Sequence, residues 1–283
     1  AGLTENRGMT TPFIQNADLH CHSVVSDGTL TPETLALRAF ENGVHLWALT
    51  DHDEVGGQER AKKAAEDLGM KYISGVEISV TWSSQTVHIV GLGIDYTNAA
   101  LIEGLYQTRN GRSKRAREIA AQLDQIGIKN AYEGALQFVG NPELISRTHF
   151  ARFLVDSGVC KDTNEVFANY LIEGKPGFVG HEWANLTDAV NWITQAGGIA
   201  VIAHPGRYNY TSLQLSELYA EFKELGGRGI EVVTGSHTKD EYKTFAKVAL
   251  QHGFLASRGS DFHSPTESHV DLGTLPDLPS QLQ

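Results

Sequence analysis

Short apolar runs alternate along the chain with longer segments in which apolar residues recur every three or four positions. The short runs predict buried strands and the longer segments predict amphipathic helices. In the first region, strands are predicted at 17–20, 46–50, 71–77 and 87–92, with helices at 32–42 and 59–68. In the second, helices are predicted at 185–196, 213–225 and 239–252, with strands at 199–203, 229–233 and 254–257. This alternation favours a parallel sheet flanked by helices, the α/β class.

The segment 99–177 has helical periodicity and no clear strand, with helices predicted at 99–126, 131–139, 148–157 and 162–172. We interpret it as an inserted helical cap domain, and residues 16–98 and 178–283 as the body of the protein. Six or seven predicted strand ends favour a distorted (β/α)7-type barrel for that body, although periodicity alone leaves an open doubly wound sheet possible. Residues 1–15 are interpreted as an N-terminal extension introduced in part by cloning.

Composition and charge narrow the class of ligand. The chain has 283 residues and a net charge of -11, which argues against a protein that coats nucleic acid electrostatically. Residues 101–155, however, include eight basic and only five acidic residues, so the insert suits an anionic ligand. Two cysteines and no long apolar run favour a cytoplasmic protein without a membrane span.

Histidine and acidic residues recur just past the ends of the apolar runs. His20 and His22 alternate with Leu19 and Cys21, so on an extended backbone both imidazoles share one face. Later runs end near further residues of the same kinds, namely Asp27, Asp51, His52, Glu77, His88, His204, Asp261 and His263. Imidazole and carboxylate without thiolate suit Zn, Mn or Fe, and this number of ligands suits two or three ions.

These motifs resemble those of a known family. Asp18-Leu19-His20-Cys21-His22, Ser26-Asp27-Gly28, Thr50-Asp51-His52-Asp53, Gly75-Val76-Glu77, Ala203-His204-Pro205 and Ser260-Asp261-Phe262-His263 are similar, in this order, to the motifs of the polymerase and histidinol phosphatase (PHP) superfamily. Within it, the helical insert, residues 145–152 and residues 204–208 resemble the bacterial nucleoside 3′,5′-bisphosphate phosphatases, a group that includes a 5′-to-3′ exoribonuclease. The resemblance implies a metal-dependent phosphoesterase that removes the 3′-phosphate of nucleoside 3′,5′-bisphosphates and also trims short RNA from its 5′ end.

The resemblance also implies a ligand set for two or three divalent ions, with manganese favoured over zinc or iron. One ion would be held by His20, His22, Glu77 and Asp261. A second would be held by Asp27, His52 and His263. A third would share Glu77 with His88 and His204. In a protein with two ions, His204 would instead be free to protonate the leaving oxygen, so both roles stay open. We assign catalytic roles to His204 and Asp51.

Substrate contacts are expected from arginines, because their guanidinium groups bind phosphate in a bidentate manner. Arg207 follows a predicted strand end directly, and Arg147 and His149 lie in the cap. Lys175 and Tyr208 are further candidates, the latter for stacking on a base. The expected partner is a nucleotide or short oligoribonucleotide, with neither a membrane nor an obligate protein partner. The alternatives are a phosphatase for another small phosphomonoester, a metal-dependent amidohydrolase, and a non-catalytic metal-binding module.

Overall fold

The computed structural model describes residues 16–282, so the predicted N-terminal extension, residues 1–15, lies outside the described part. The strands are β1 (Ala17–Asp18), β2 (Leu46–Trp47), β3 (Lys71–Tyr72), β4 (Gly75–Trp82), β5 (Gln85–Leu92), β6 (Ile199–Ile202), β7 (Gly229–Thr234) and β8 (Leu255–Gly259). The α-helices are α1 (Pro32–Glu41), α2 (Gln58–Leu68), α3 (Ala99–Gln125), α4 (Ala131–Leu136), α5 (Arg147–Asp156), α6 (Thr163–Val166), α7 (Leu186–Gln195), α8 (Ser212–Glu224) and α9 (Lys239–His252). Short 3₁₀ turns cover Pro142–Leu144, Pro205–Arg207 and Ser280–Leu282, and a π-helical turn covers Phe167–Leu171.

Helix boundaries follow the local sequence. Thr31 caps α1 by accepting a hydrogen bond from the Thr34 amide, and Pro32 occupies the first turn, where its missing amide hydrogen is not needed. Thr238 and Glu241 form a reciprocal capping box at the start of α9, and Gly253 ends that helix in the left-handed conformation. Among the described residues, no helix is long and apolar enough to cross a membrane.

The prediction of an α/β fold is confirmed, but a single closed barrel is not what the strands form. The short strands β1, β2 and β3 make one parallel sheet, and β4 to β8 make a second, mixed sheet in that order. Isolated bridges between Cys21 and Phe262 and between His52 and Glu77 link the two sheets. The ladders of the first sheet are only two residues long because the backbone then turns into the loops that carry the candidate ligands.

The largest departure from the predicted parallel arrangement is a hairpin. Strands β4 and β5 pair antiparallel through a tight turn at Ser83 and Ser84, both of which have positive φ, and β5 is also antiparallel to β6. His88 therefore lies in the middle of a strand, opposite Ser79, and not at a strand end as the alternating pattern predicted. The hairpin nevertheless brings His88 to the same side of the sheet as Glu77.

The buried side chains form distinct clusters. One, which includes Ile78 and Phe222, packs between the five-stranded sheet and α7, α8 and α9, and another, around Trp47, packs between the three-stranded sheet and α1 and α2. The predicted insert contains α3 to α6 and no strand in its described residues. Phe150 and Leu171 belong to a separate cluster formed within residues 116–179. The domain boundaries at 99 and 177 stay a prediction.

Candidate metal centre

The loop after β1 places His20 and His22 side by side, both fully buried. His20 Nε2 lies 3.0 Å from Glu77 Oε2, and His22 Nε2 lies 3.2 Å from Glu77 Oε1. Asp261 Oδ1 approaches the same two nitrogen atoms, at 3.1 and 3.0 Å. The two imidazoles therefore converge on one pair of carboxylates, as their alternation on one face predicts.

Glu77 is the centre of the cluster. Its Oε1 lies 3.2 Å from His52 Nδ1, and its Oε2 lies 3.3 Å from both His88 Nδ1 and His204 Nε2. With His20 and His22, five imidazoles surround one buried carboxylate. His88 Nδ1 and His204 Nε2 are themselves only 3.4 Å apart. Glu77 can thus be shared between neighbouring cations.

A second group of candidate ligands surrounds Asp27. Its Oδ1 lies 3.2 Å from His263 Nε2 and 3.6 Å from His22 Nδ1, and its Oδ2 lies 3.5 Å from His52 Nε2. His263 Nδ1 donates to the backbone oxygen of Asp261 at 2.8 Å, which leaves Nε2 with a lone pair toward Asp27. All nine predicted metal ligands therefore lie in one cluster.

The ligand atoms of this cluster fit divalent metal ions. Several are buried and have no hydrogen-bond partner among the described residues: His20 Nε2, His22 Nδ1, Asp27 Oδ1, His52 Nδ1, His204 Nδ1 and both oxygens of Glu77. Unpaired polar atoms in a protein interior are costly, and a shared cation satisfies nitrogen and oxygen lone pairs together. Three groups have ligand atoms within 4.8 Å of one another: His20, His22, Glu77 and Asp261; His22, Asp27, His52 and His263; and His52, Glu77 and His88.

The electrostatics of the cluster also favour positive charge. Burial alone would raise the pKa of Glu77, but the surrounding imidazoles of His20, His88 and His52 hold it well below its usual range. Burial alone would lower the pKa of His22, yet the carboxylates of Asp261, Glu77 and Asp27 raise it to about 10. The carboxylates therefore stay ionised and require cations among them, either protons on the imidazoles or metal ions.

Two candidate residues have strained backbones. His204 has φ of 26° and Asp261 has φ of 57°, in a region that side-chain-bearing residues seldom adopt. Such strain is found preferentially at functional sites, where the surrounding structure enforces it. Burial, with a contribution from nearby Arg207, lowers the pKa of His204 to about 3, so its imidazole is neutral, as a metal ligand must be.

Glu231 is part of the site and was missed by sequence reasoning. It is 1% exposed, its Oε2 lies 2.7 Å from His20 Nδ1, and its Oε1 accepts a hydrogen bond from the His204 amide, also at 2.7 Å. A carboxylate on the far nitrogen of a ligating imidazole fixes the tautomer and orientation of that ring. The available signal was a Glu inside the buried and mainly apolar strand β7, where an unpaired charge would destabilise the fold.

A cavity of about 470 Å³ opens onto the cluster and contains two of the five predicted substrate residues. Arg147 and Arg207 line it, together with Asp27, Glu77, Asp261 and four of the histidines. Arg207 is half exposed, and its Nη1 lies 3.4 Å from Asp261 Oδ2. These two arginines therefore lie in the same cavity as candidate ligands, and their contact with substrate stays a prediction.

The other three predicted substrate residues, and Asp51, do not line the cavity. His149 caps α5, where its Nδ1 accepts a hydrogen bond from the Ser146 amide, and the Tyr208 hydroxyl donates to the Ala203 carbonyl within the protein. Lys175 is exposed on the loop after the π-helical turn. Asp51 is buried and accepts hydrogen bonds from two serines of the loop that carries Asp27, so it orients that loop and does not face the cavity.

The cavity has basic and aromatic walls that the sequence did not single out. Arg112 and Arg115 extend into it from α3, and both guanidinium groups lie over the ring of Trp183, at 4.9 and 5.4 Å. Their spacing along α3 is equally typical of a solvated helix face, which explains why sequence alone did not identify them. Phe167 and Ile172 add an apolar wall.

Fold, cluster and basic cavity together define a phosphoesterase-type metal site, and comparison with known proteins gives its family. Residues 18–134 match the PHP domain. The chain is 52% identical to the 3′,5′-nucleoside bisphosphate phosphatase of Chromobacterium violaceum over 264 residues, 93% of each protein. The chain belongs to the PHP family.

Two further relatives define the closer group. A 5′-3′ exoribonuclease of Haemophilus influenzae is 42% identical over 261 residues, 92% of this chain and 94% of that protein. A solved structure of an amidohydrolase from Chromobacterium violaceum, with bound sulfate and no metal, superposes with a TM-score of 0.91 at 52% identity, covering 94% of this chain and 92% of the other. The resemblance drawn from the sequence motifs is thus confirmed.

Proposed function

We propose that the protein hydrolyses the 3′-phosphate of nucleoside 3′,5′-bisphosphates, giving a 5′-nucleotide and phosphate, with two or three divalent ions, manganese foremost. The observation that carries the proposal is one cavity lined both by histidines and carboxylates of the cluster and by four arginines. A substrate with two phosphates fits this arrangement, one phosphate at the cluster and one at the arginines. The similar phosphatase and exoribonuclease support the same substrate class.

Eight of the nine candidate ligands would hold the ions in the three groups described above, two of which share Glu77. His204, whose Nε2 lies 3.3 Å from Glu77 Oε2, would be the ninth ligand. Divalent ions held there would activate water as a nucleophile near neutral pH and would polarise the phosphoryl group. Arg207, at the mouth of the cavity beside Asp261, would hold the phosphoryl oxygens in position. No nucleophile from the protein is required by this arrangement.

The second phosphate would bind Arg112, Arg115 and Arg147. Arg115 Nε donates to the Val179 carbonyl and Arg147 Nη1 to the Leu171 carbonyl, and no carboxylate among the described residues pairs with either guanidinium. Burial, then repulsion from Arg147 and Arg112, lowers the pKa of Arg115 to about 9. Burial, then repulsion from Arg207 and Arg112, lowers the pKa of Arg147 to about 10. A bound phosphate relieves this repulsion, since guanidinium pairs strongly with it.

A specific observation favours RNA as a second substrate. A neighbouring cavity of about 610 Å³ shares Asn164, Glu267 and Ser268 with the first. It gives space for the nucleotide that follows a scissile 3′-phosphate, so 5′-to-3′ removal of nucleotides from short RNA is a second activity of the same site. The segment 99–177 would then act as a cap over the body, and we place the protein in the cytoplasm, where its two free cysteines stay reduced.

The experiment is phosphate release from adenosine 3′,5′-bisphosphate by metal-stripped protein resupplied with Mn²⁺, with 3′-AMP and 5′-AMP as comparison substrates. Fast release with 5′-AMP as product, and little release from either monophosphate, is the expected result. An Arg147→Met variant should lose the preference for the bisphosphate, whereas the matched Arg117→Met variant should keep it, since Arg117 is exposed against Tyr132 outside the cavity. No release from any substrate by metal-loaded protein would refute the proposal.

A further inference from the structure

Asp53 is a fully buried carboxylate that follows the candidate ligand His52 and has no place in the ligand set. Its backbone has φ of 49°, which an aspartate tolerates better than other residues, and its amide donates to the Glu77 carbonyl at 2.9 Å. Its Oδ1 accepts from the Ser79 amide and its Oδ2 from the Ser79 hydroxyl, each at 2.8 Å. Asp53 is thus fixed to the strand that carries Glu77.

The same residue reaches α3 in the predicted insert. Asp53 Oδ2 accepts a hydrogen bond from Arg112 Nη2 at 2.7 Å, and the Asp53 carbonyl accepts one from Arg109 Nη1 at 2.9 Å. Both arginine side chains are at least nine-tenths buried. A charge-assisted pair of this length between buried groups holds its partners in one geometry. Asp53 therefore links the candidate metal cluster directly to α3.

The Arg112 guanidinium contacts Trp183 and Asp53, and the side chain also lines the cavity. One face of its guanidinium lies over Trp183, Nη2 is taken by Asp53, and Nε is buried without a hydrogen-bond partner among the described residues while the side chain lines the cavity. The guanidinium is planar, so fixing Nη2 also fixes the direction of its remaining N–H groups. Arg115 has only a backbone carbonyl as its described hydrogen-bond partner.

We propose that Asp53 is a positioning residue that sets the orientation of Arg112 relative to the His52 and Glu77 cluster, and so determines the selectivity for substrates with a second phosphate. This inference rests on the proposed function. Because Asp53 is bonded both to the strand of Glu77 and to Arg112, it fixes the separation between the two phosphate positions. A substrate lacking the phosphate that Arg112 would bind gains nothing from this geometry.

The test is Asp53→Asn. An amide keeps one acceptor for the Ser79 amide but presents N–H toward Arg112 Nη2, where a donor faces a donor. The ratio of kcat/KM for adenosine 3′,5′-bisphosphate to kcat/KM for 3′-AMP should fall about tenfold or more, mainly through KM for the bisphosphate, with metal content unchanged. Asp271→Asn, which weakens an ion pair with Arg38 whose side chains are about one-third exposed, is the matched control and should keep the ratio.

A double variant tests whether Asp53 acts through Arg112. Arg112→Met and Asp53→Asn combined should lower the ratio no further than Arg112→Met alone, because residues acting as one unit are not additive. Three results would overturn the inference and make Asp53 a structural support of His52: an equal fall in kcat/KM for both substrates, loss of bound metal, or fully additive effects of the two substitutions. If Asp53→Asn does not fold, Arg112→Lys decides, because lysine lacks the planar guanidinium that can donate to Asp53 from one nitrogen and toward the cavity from the others. Retained selectivity in that variant would overturn the inference.

Binding measurements separate this inference from the proposed function. In calorimetric titrations the wild-type protein should bind 5′-AMP more tightly than adenosine. Asp53→Asn should lower the affinity for 5′-AMP about tenfold and change the affinity for adenosine little. Failure of the wild type to hydrolyse adenosine 3′,5′-bisphosphate, with this binding difference intact, would refute the proposed reaction alone. Hydrolysis with equal binding of 5′-AMP by both proteins would refute the role of Asp53 alone.

Discussion

Replacing Glu231 by Gln is the sharpest test of how the cluster is held together. The carboxylate accepts two hydrogen bonds at 2.7 Å, one from His20 Nδ1 and one from the His204 amide. Glutamine matches the shape but has one acceptor and one donor at its end. Whichever way the amide is oriented, one of the two bonds is lost and a donor faces a donor.

The magnitude follows from two independent estimates. A buried hydrogen bond that involves a charged group contributes about 1.5–3 kcal/mol. Replacing a residue that orients a metal ligand typically lowers metal affinity by about 10- to 100-fold, which corresponds to about 1.4–2.7 kcal/mol. Both estimates centre near 2 kcal/mol, so we expect the dissociation constant of the ion held by His20 to rise by about 30-fold. The dissociation constant of the ion held by Asp27, His52 and His263 should stay near the wild-type value.

The assay is competition with a chelator, followed by elemental analysis of the protein. Activity should fall at limiting Mn²⁺ and recover largely at saturating Mn²⁺, because the nine candidate ligands are all retained. Asp271→Asn serves again as the control, since its ion pair with Arg38 lies on the surface and outside the cluster. A Glu231→Gln protein with wild-type metal affinity would show that the His20 ring needs no support from β7 and would refute the reasoning.

Three further predictions address other parts of the molecule. Asp261→Ala should lose metal and turnover together, and retained activity with full metal content would contradict the ligand assignment. Burial lowers the pKa of His149 to about 4, so native His149 stays uncharged while the unfolded imidazole binds a proton near its ordinary value of 6.5; the free energy of unfolding should therefore fall by about 2 kcal/mol from about pH 7 to about pH 5. Urea titrations should show less of this loss in His149→Asn, and equal losses would refute the argument. Gly104→Ala should lower stability by about 1–3 kcal/mol, seen as a lower Tm, because its methyl group would lie 2.3 Å from the Trp192 ring; an unchanged Tm would contradict the packing.

Local sequence signals predict the helices well, and the chain-wide arrangement of strands less well. The predicted α9, 239–252, matches the observed Lys239–His252, and α3 differs from its prediction by one residue at its end. Strong caps at Thr238 and Asn98 explain this accuracy. The hairpin of β4 and β5 was missed because its turn, Ser83-Ser84, has none of the glycine or asparagine that favours positive φ.

For the candidate site, the sequence predicts which residues gather but not what supports them. The nine candidate ligands stand out in the sequence because imidazoles and carboxylates are rare next to buried apolar runs. Glu231 and Asp53 are hydrogen-bonded to residues far away in sequence, His20 and Arg112, and no local pattern identifies those partners. Arg112 has the spacing of an ordinary helix face, and Lys175 has suitable charge but lies on an exposed loop. Charge alone does not show which side of an element faces a cavity.

The hydrogen bonds between the segment that follows β1 and the end of β8 have a consequence for synthesis of the protein. Leu19 N–H donates to the Arg258 carbonyl, and His22 N–H to the Phe262 carbonyl, so the earliest candidate ligands are completed by Asp261 and His263. Glu77 is synthesised early, but Asp261, the other carboxylate beside the two imidazoles, leaves the ribosome more than 230 residues after His22. A chain that ends before residue 261 therefore lacks two of the nine candidate ligands, Asp261 and His263.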